Sequence, residues 1–283
     1  MWSFKILQYV IICLKGDSMV IISNNGKKKL SKIDIHDIFV IADFDRTLTT
    51  GSSESTFSLF SLSGLYGSEY ETERTLVHDY YRQIELDARL PYQEKFELMR
   101  DWALESYGLM LKYKVRESDI ENIIREKKFL ELRSGVVEFI NNLNKLGIPL
   151  IINSAGIGNF IECILRLNNC YSDNIFISAN FLIFKDGVIV DSIKDIIHSM
   201  NKYDIVLSDV AESAIKDRKM AILIGDQLSD LNMDHKLPNN SNITFGFLEA
   251  NIRKNEELFR ERFDVVLKDN EGFESIEKLL RLK

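Results

Sequence analysis

The sequence predicts an α/β protein: a doubly wound, mainly parallel sheet with a helical cap inserted after its first core strand. Three observations predict it. From Arg133 onward apolar strands alternate with amphipathic helices, the rhythm of a parallel sheet covered on both faces. The run Ile38 to Ala42 is apolar at every position, as suits a strand buried on both sides. Between the two lies a helical block, roughly Thr56 to Glu126, placed where an insert sits over the carboxyl ends of the strands and can act as a lid.

The opening stretch, MWSFKILQYVIICLKGDSM, has an apolar run that Lys5 interrupts and no small-x-small cleavage site after it. It is too short for a membrane span and lacks the marks of a secretory signal. "KGDS" is what a purine-rich ribosome-binding stretch spells when read as codons. Translation is therefore expected to begin at Met19, with residues 1–18 a non-native extension. Lys27 to Lys29 is a charge run expected on a solvated loop or helix start.

After Ile38–Ala42, TTGSSESTFSLFSLSGLYGS is rich in Gly and Ser and reads as a flexible connection. Helical spacing follows from Glu69 to Gly108, with Pro91 able to open a new helix and Gly108 able to close it. Tyr92, Phe96, Met99 and Ala103 form one stripe with Leu98 and Trp102 beside it, expected in the core. Arg116 to Phe129 continues the helical character.

The alternating half begins with a helix, Val136 to Leu146, ended by Gly147. A strand from Ile148 to Asn153, a helix near Asn159 to Leu167 and a strand near Ile175 follow. FLIFKDGVIVDS is a hairpin with Asp186-Gly187 in its turn. Further strands are expected at Met220 to Ile224, Ile243 to Phe245 and Val265 to Leu267. The domain reading is thus a core of residues 19–55 and 127–283 with a cap of residues 56–126.

A chain of 283 residues with 45% hydrophobic residues can bury a large core. Its net charge of -7 speaks against binding nucleic acid polymers, which needs a basic face, yet leaves room for a locally positive site for a small anion. The three cysteines, Cys13, Cys163 and Cys170, are odd in number and form no C-x-x-C, which disfavours a disulfide framework and a zinc site and suits a reduced cytoplasmic setting. The four histidines show no metal-ligand spacing and are read as structural or surface residues.

The chemistry begins where the first core strand stops. Asp43 and Asp45 stand two positions apart in ADFDRT, and two carboxylates at a strand end repel unless a cation or proton joins them. A capped turn with two solvated acids is the bland alternative. Three further pieces follow in order: Ser154 in LIINSAGIG after a second strand, Lys202 in a polar region taken as helical, and Asp226 and Asp230 in ILIGDQLSDL after a third strand. Taken singly, Ser154 reads as a helix cap, Lys202 as a surface lysine and GDQLSD as an acidic strand-to-helix turn. Glycines after Ser154 can expose backbone N–H groups to a phosphate. SAGIG lacks G-x-G-x-x-G spacing, which disfavours dinucleotide binding.

In that order and strand context the four pieces resemble the haloacid dehalogenase-like (HAD) superfamily of phosphohydrolases, with its Rossmann-type core. The resemblance implies a Mg²⁺-dependent phosphomonoesterase. Asp43 would be the nucleophile that forms an aspartyl-phosphate, and Asp45 the acid for the leaving group and base for water. Mg²⁺ would be held by the Asp43 carboxylate, the Asp45 main-chain carbonyl and Asp226, with Asp230 in support. Ser154, Ala155 and Gly156 would cradle phosphate, Lys202 would offset its charge, and Thr47 would order the turn beside the acid.

Further stretches, ELDARLPYQEKFELMRDWALESYGL, SAGIGNFIECIL, NKYDIVL, GDQLSDLNM and FDVVL, resemble the cytosolic pyrimidine 5′-nucleotidase III family over about two thirds of the chain. That likeness implies a nucleoside 5′-monophosphate substrate, pyrimidine preferred, with Glu94 contacting the nucleobase and Ser106 lining the substrate pocket. Arg46 departs from the family, which carries Met there, and residues 50–73 have no family counterpart. A phosphatase for another small phosphorylated metabolite, a receiver-like signalling module and a non-catalytic phosphate- or metal-binding protein are the alternatives. The D-x-D spacing and the insert oppose the receiver, and Asp45 opposes a dehalogenase proper.

Overall fold

The computed structural model describes residues 9–13 (as backbone), 19–87, 89–192, 195–203, 207–237, 241–248, 256–268 and 271–282. Its strands are β1 (Tyr9–Cys13), β2 (Met19–Ser23), β3 (Ile38–Ala42), β4 (Leu150–Ile157), β5 (Ile175–Asn180), β6 (Leu182–Lys185), β7 (Val188–Ser192), β8 (Met220–Gly225), β9 (Ser241–Leu248) and β10 (Val265–Lys268). Eight form one sheet in the order β1-β2-β10-β9-β8-β3-β4-β5. Pairing from β10 to β5 is parallel, and β1 and β2 add antiparallel strands at one edge. The 1–18 segment thus supplies a strand, Tyr9–Cys13, while residues 1–8 and 14–18 lie outside the described residues.

The two-sided burial read from the sequence holds in β3, where all five residues are fully buried. Ile38, Val40 and Ala42 join the larger core cluster, which includes helix α6 (Val136–Lys145), helix α7 (Gly158–Leu167) and the helix Phe273–Leu280. Phe39 and Ile41 face the smaller cluster with Ile151, Leu223 and Met233. Each such side chain contributes about 1.5–3 kcal/mol by leaving water. Because β3 is flanked by β4 on one side and β8 on the other, the chain reverses its winding there, the crevice where α/β sheets bind ligands.

Between β3 and α6 run α2 (Leu59–Leu62), α3 (Gly67–Leu86), α4 (Tyr92–Lys112) and α5 (Ser118–Lys127). Pro91 caps α4 as anticipated. Gly108 does not end it: the helix continues to Lys112 because Met110 beyond the glycine is fully buried, and one interior Gly costs a helix only about 1 kcal/mol. The hairpin β6/β7 turns through Asp186 and Gly187, both at positive φ (52° and 75°), the turn that matches strand twist. The lysine run lies in the last turn of helix α1 (Asn24–Leu30), where Lys29 pairs with Asp264 at 2.6 Å.

The Ser/Gly-rich connection is not loose. Ser55 caps a single 3₁₀ turn, Thr56–Ser58, through its side chain. Leu59 and Phe60 are then fully buried, with the Phe60 ring 4.9 Å from that of Phe160. Composition pointed to mobility here; two apolar anchors override it.

Candidate active site

The loop after β3 holds its shape by local bonds. Arg46 takes positive φ (63°), its N–H donates to Thr49 Oγ1 at 2.7 Å, and the Thr49 N–H donates to the Phe44 carbonyl at 3.1 Å. Buried Arg133 donates to the carbonyls of Arg46 (2.7 Å) and Thr47 (3.1 Å). Asp43 and Asp45 are thereby presented from a backbone that is tied down.

Four of the expected residues converge above β3 and β8. Lys202 Nζ lies 2.7 Å from Asp43 Oδ1 and 3.0 Å from Asp230 Oδ1. Asp230 Oδ2 accepts from the N–H groups of Asp226 (3.1 Å) and Gln227 (2.9 Å). One carboxylate oxygen from each of Asp43, Asp226 and Asp230 lies within 4.8 Å of the others. All four side chains are buried. Lys202 belongs to a turn rather than a helix, and its carbonyl accepts from Asn153 Nδ2 at 2.7 Å. Residues 204–206 of the NKYDIVL stretch lie outside the described residues.

The carboxylates bear the cost of this crowding. Burial, then the charges of Asp230 and Asp45, push the Asp43 carboxyl up to about 7 against the opposing pull of Lys202. Burial and the charges of Asp43 and Asp230 raise Asp226 well above the carboxylate range. Burial by itself would lower the Lys202 ammonium, but Asp230 and Asp43 outweigh it and the net direction is up. Asp226 Oδ1 is buried with no hydrogen-bond partner. A hard divalent cation fits this donor set: buried carboxylate oxygens, an excess of negative charge and an unused lone pair. Asp230, with Lys202 on one oxygen and two N–H groups on the other, supports the set more than it offers a free ligand.

Asp45 is turned away from that cluster. Ser55 Oγ donates to Asp45 Oδ2 at 2.7 Å, the Thr56 N–H donates to Oδ1 at 3.0 Å, and Thr56 Oγ1 donates to Oδ2 at 3.2 Å. Burial, the largest influence, still leaves its pKa raised against these bonds. Ser55 and Thr56 were missed in the sequence because they sit in the stretch read as flexible; an S-T pair capping a turn was the only signal.

β4 runs past Asn153 through Ser154–Gly156 to Ile157, with a register shift between Asn153 and Ile157. The N–H of Gly156 donates to Ser154 Oγ (3.0 Å) and that of Ile157 to Thr56 Oγ1 (3.1 Å). These two N–H groups are therefore engaged inside the protein, a correction to the open cradle expected of a helix start. Gly156 has another role: a Cβ there would lie 1.9 Å from Thr56 Oγ1 and 3.0 Å from Asp45 Oδ2.

A cavity of about 330 Å³ opens over this cluster, lined by Asp43, Asp45, Ser154, Ala155, Gly156, Lys202 and Asp226 on the sheet side. Four expected residues are not on its wall: Asp230, which lies behind Lys202 and Asp226, and Thr47, Ser106 and Glu94. Thr47 is fully buried and its hydroxyl has no partner; Ser55 and Thr56, not Thr47, hold the acid. Ser106 is fully buried, its Oγ unpartnered, on α4 beyond Trp102 and Ala103. Glu94 is exposed in the first turn of α4.

The cap side of the wall is instead made by Phe57, Arg74, Glu85, Met99 and Trp102. Glu85, in the last turn of α3, is the cap glutamate at the cavity. Met99 and Ala103 of the apolar stripe are buried as expected, Ala103 within the main core cluster, and with Trp102 they also line the wall, while Tyr92 is exposed (58%). His78 and His198 also line it, so two of the histidines read as structural belong to the site.

The chain matches the family model described as pyrimidine 5′-nucleotidase (UMPH-1) over residues 44–282. It belongs to that family. Among relatives, it is 31% identical over 252 residues to a Drosophila melanogaster 7-methylguanosine phosphate-specific 5′-nucleotidase, covering 86% of this chain and 79% of that one. The human protein of the same description is 30% identical over 254 residues, covering 86% and 83%. The crystal structure of cytosolic 5′-nucleotidase IIIB bound to cytidine superimposes with a TM-score of 0.80 at 28% identity, over 91% of this chain and 89% of that one. As a member of this pyrimidine 5′-nucleotidase family the protein is a phosphomonoester hydrolase with a HAD-like α/β fold. Among the described residues no helix is long and apolar enough to cross a membrane.

Proposed function

We propose that the protein is a Mg²⁺-dependent nucleoside 5′-monophosphate phosphohydrolase that works through an aspartyl-phosphate on Asp43 and prefers pyrimidine nucleotides. The observation that carries this is the shared set of Asp43, Lys202, Asp226 and Asp230, with Asp45 held apart by Ser55 and Thr56. The family description and the cytidine-bound neighbour support a nucleotide substrate.

The carboxylates of Asp43 and Asp226 with the Asp45 carbonyl would hold Mg²⁺, which when bound would supply charge neutralisation for the incoming phosphate. Lys202 keeps Asp43 oriented and offsets the charge that builds on phosphoryl oxygens. An Asp43 oxygen attacks phosphorus, and the bond from phosphorus to the ester oxygen breaks. Asp45, held by Ser55 and Thr56, gives its proton to the departing 5′-oxygen. Asp45 then takes a proton from water, which attacks phosphorus and releases Asp43 and inorganic phosphate. Ser154 and Ala155 face the phosphate. Glu85 replaces Glu94 as the cap carboxylate that faces the nucleoside.

Residues 56–126 serve as the cap and 19–55 with 127–283 as the core. Free Cys163 and Cys170 and the word cytosolic in the description of the superimposed relative support a cytoplasmic setting. The test is phosphate release from a panel of nucleoside monophosphates and sugar phosphates with Mg²⁺, before and after chelation. Asp43→Asn is expected to remove turnover by about 10⁴-fold or more. Phosphate release that survives this substitution contradicts the nucleophile, and equal rates on nucleotides and sugar phosphates contradict the substrate class.

A further inference from the structure

Arg74, on α3, is a buried cation with no ion pair among the described residues, although the charge of Asp79 acts on it. The residue is 5% exposed, its guanidinium carbon lies 5.7 Å from the centre of the Phe57 ring, and Nη2 donates to Ser58 Oγ at 3.3 Å. Nε has no hydrogen-bond partner, and the side chain forms part of the cavity wall. Desolvation pulls its pKa below the ordinary guanidinium value. A buried charge left this way is costly unless something arrives to meet it.

Of the carboxylates nearby, Glu85 is ion-paired to Arg82, Asp79 lies against His78 at 3.0 Å while its charge also acts on Arg74, and Glu54 stands exposed at the rim. None of them forms an ion pair with Arg74 among the described residues, which leaves its guanidinium to meet a group in the cavity.

One 3₁₀ turn links it to the reacting end: Ser55, the cap residue of that turn, holds Asp45, and Ser58, three residues later, holds Arg74, so both side chains stand on the same cavity wall about one such turn, roughly 6 Å, apart.

We infer that Arg74 is the specificity-determining residue of the leaving-group end: its guanidinium donates to an acceptor oxygen on a neutral or anionic leaving group and rejects a cationic one. This rests on the nucleotidase reading above. A base carbonyl is such an acceptor, and a guanidinium on the cavity wall suits it. A 7-methylguanine ring carries a positive charge, so the substrate class in the description of the Drosophila and human relatives is disfavoured here. Two like charges about 6 Å apart at a partly buried site repel enough for a tenfold to hundredfold preference.

GMP and 7-methylguanosine 5′-monophosphate differ by one methyl and this charge, which makes them the probe. Wild-type protein is expected to favour GMP in kcat/KM by tenfold or more. Arg74→Met should move the ratio at least tenfold toward the methylated nucleotide, while Arg74→Lys keeps the wild-type order. A ratio unchanged in Arg74→Met, or a wild-type preference for the methylated nucleotide, overturns the assignment. Inhibition of p-nitrophenyl phosphate hydrolysis by guanosine and 7-methylguanosine gives a second readout on wild-type protein. If only p-nitrophenyl phosphate is turned over, the nucleotidase reading fails; equal inhibition by the two nucleosides, by contrast, overturns the role of Arg74.

Discussion

The two ends of the cavity differ in how their charges are met. At the sheet end the charges are gathered into one network: Lys202 bridges Asp43 and Asp230, and Asp230 also takes two backbone N–H groups. At the cap end Arg74 Nε and Trp102 Nε1 have no partner at all. The loops after parallel strands converge by topology, so the sheet end can be pre-organised. Helices α3 and α4 pack chiefly on each other, for example through the stacked rings of Tyr81 and Trp102 at 6.1 Å, and leave those two polar atoms buried without a hydrogen bond. The sheet end is built for a chemistry; the cap end is built for a choice of leaving group.

The contrast breaks most severely at Lys202. Lys202→Met should cut kcat by about 10²–10³-fold, because the phosphoryl charge loses its counterpart. It also leaves Asp43, Asp226 and Asp230 buried together, which should cost about 3–5 kcal/mol in a urea unfolding titration without Mg²⁺. Stability unchanged in that titration would show that the lysine does not balance the cluster.

Gly156→Ala ranks next. Its methyl has no room beside Thr56 Oγ1 and Asp45 Oδ2, so the acid must shift. The expected loss is about 10–100-fold in kcat, largest for substrates with a poor leaving group and smallest for p-nitrophenyl phosphate, whose leaving group needs no proton. An equal loss on both kinds of ester would show that Gly156 acts on something other than the acid.

A smaller effect separates the two cap glutamates. Glu85→Gln should raise KM for nucleotides about tenfold with kcat little changed, while Glu94→Gln, a change on an exposed helix surface, should leave both within twofold. Steady-state kinetics on CMP decides it, and the reverse result would return the base contact to Glu94.

A last effect, on stability rather than turnover, is a pH dependence at the seam between the two ends. His198 is buried against the Phe96 ring (4.7 Å), and burial, with Arg100 nearby, lowers its pKa to about 4. A histidine lowered in the folded state takes up its proton more readily when unfolded. Its contribution to stability is therefore present above about pH 6.5 and is lost as pH falls toward 4, on the order of 2–4 kcal/mol in all. Denaturation of His198→Gln at pH 7 and pH 4.5 should show a shallower acid loss than wild type; equal slopes would remove His198 as the source.

Much of the sheet end was legible because its signals are local. An apolar run of five residues followed by Asp43-x-Asp45, and a second run followed by Asp226 and Asp230, each mark a strand and the loop that leaves it. The parallel order then brings such loops together. The Ser55–Thr56 grip on Asp45 was not legible, since Ser and Thr in a Gly-rich stretch read as loop until a distant carboxylate is placed beside them.

By itself, then, the sequence determined the parallel core, the inserted helices, and the acids and lysine that share one site. Periodicity and strand ends are properties of neighbouring residues, and they survive without knowledge of the whole. Tertiary structure alone decided that Glu85 rather than Glu94 faces the cavity, that Thr47 is sealed away, and that Arg74 stands buried and unpaired. Which side of a helix meets a site depends on how that helix rolls against its neighbours, and that is fixed by packing between residues far apart in the chain.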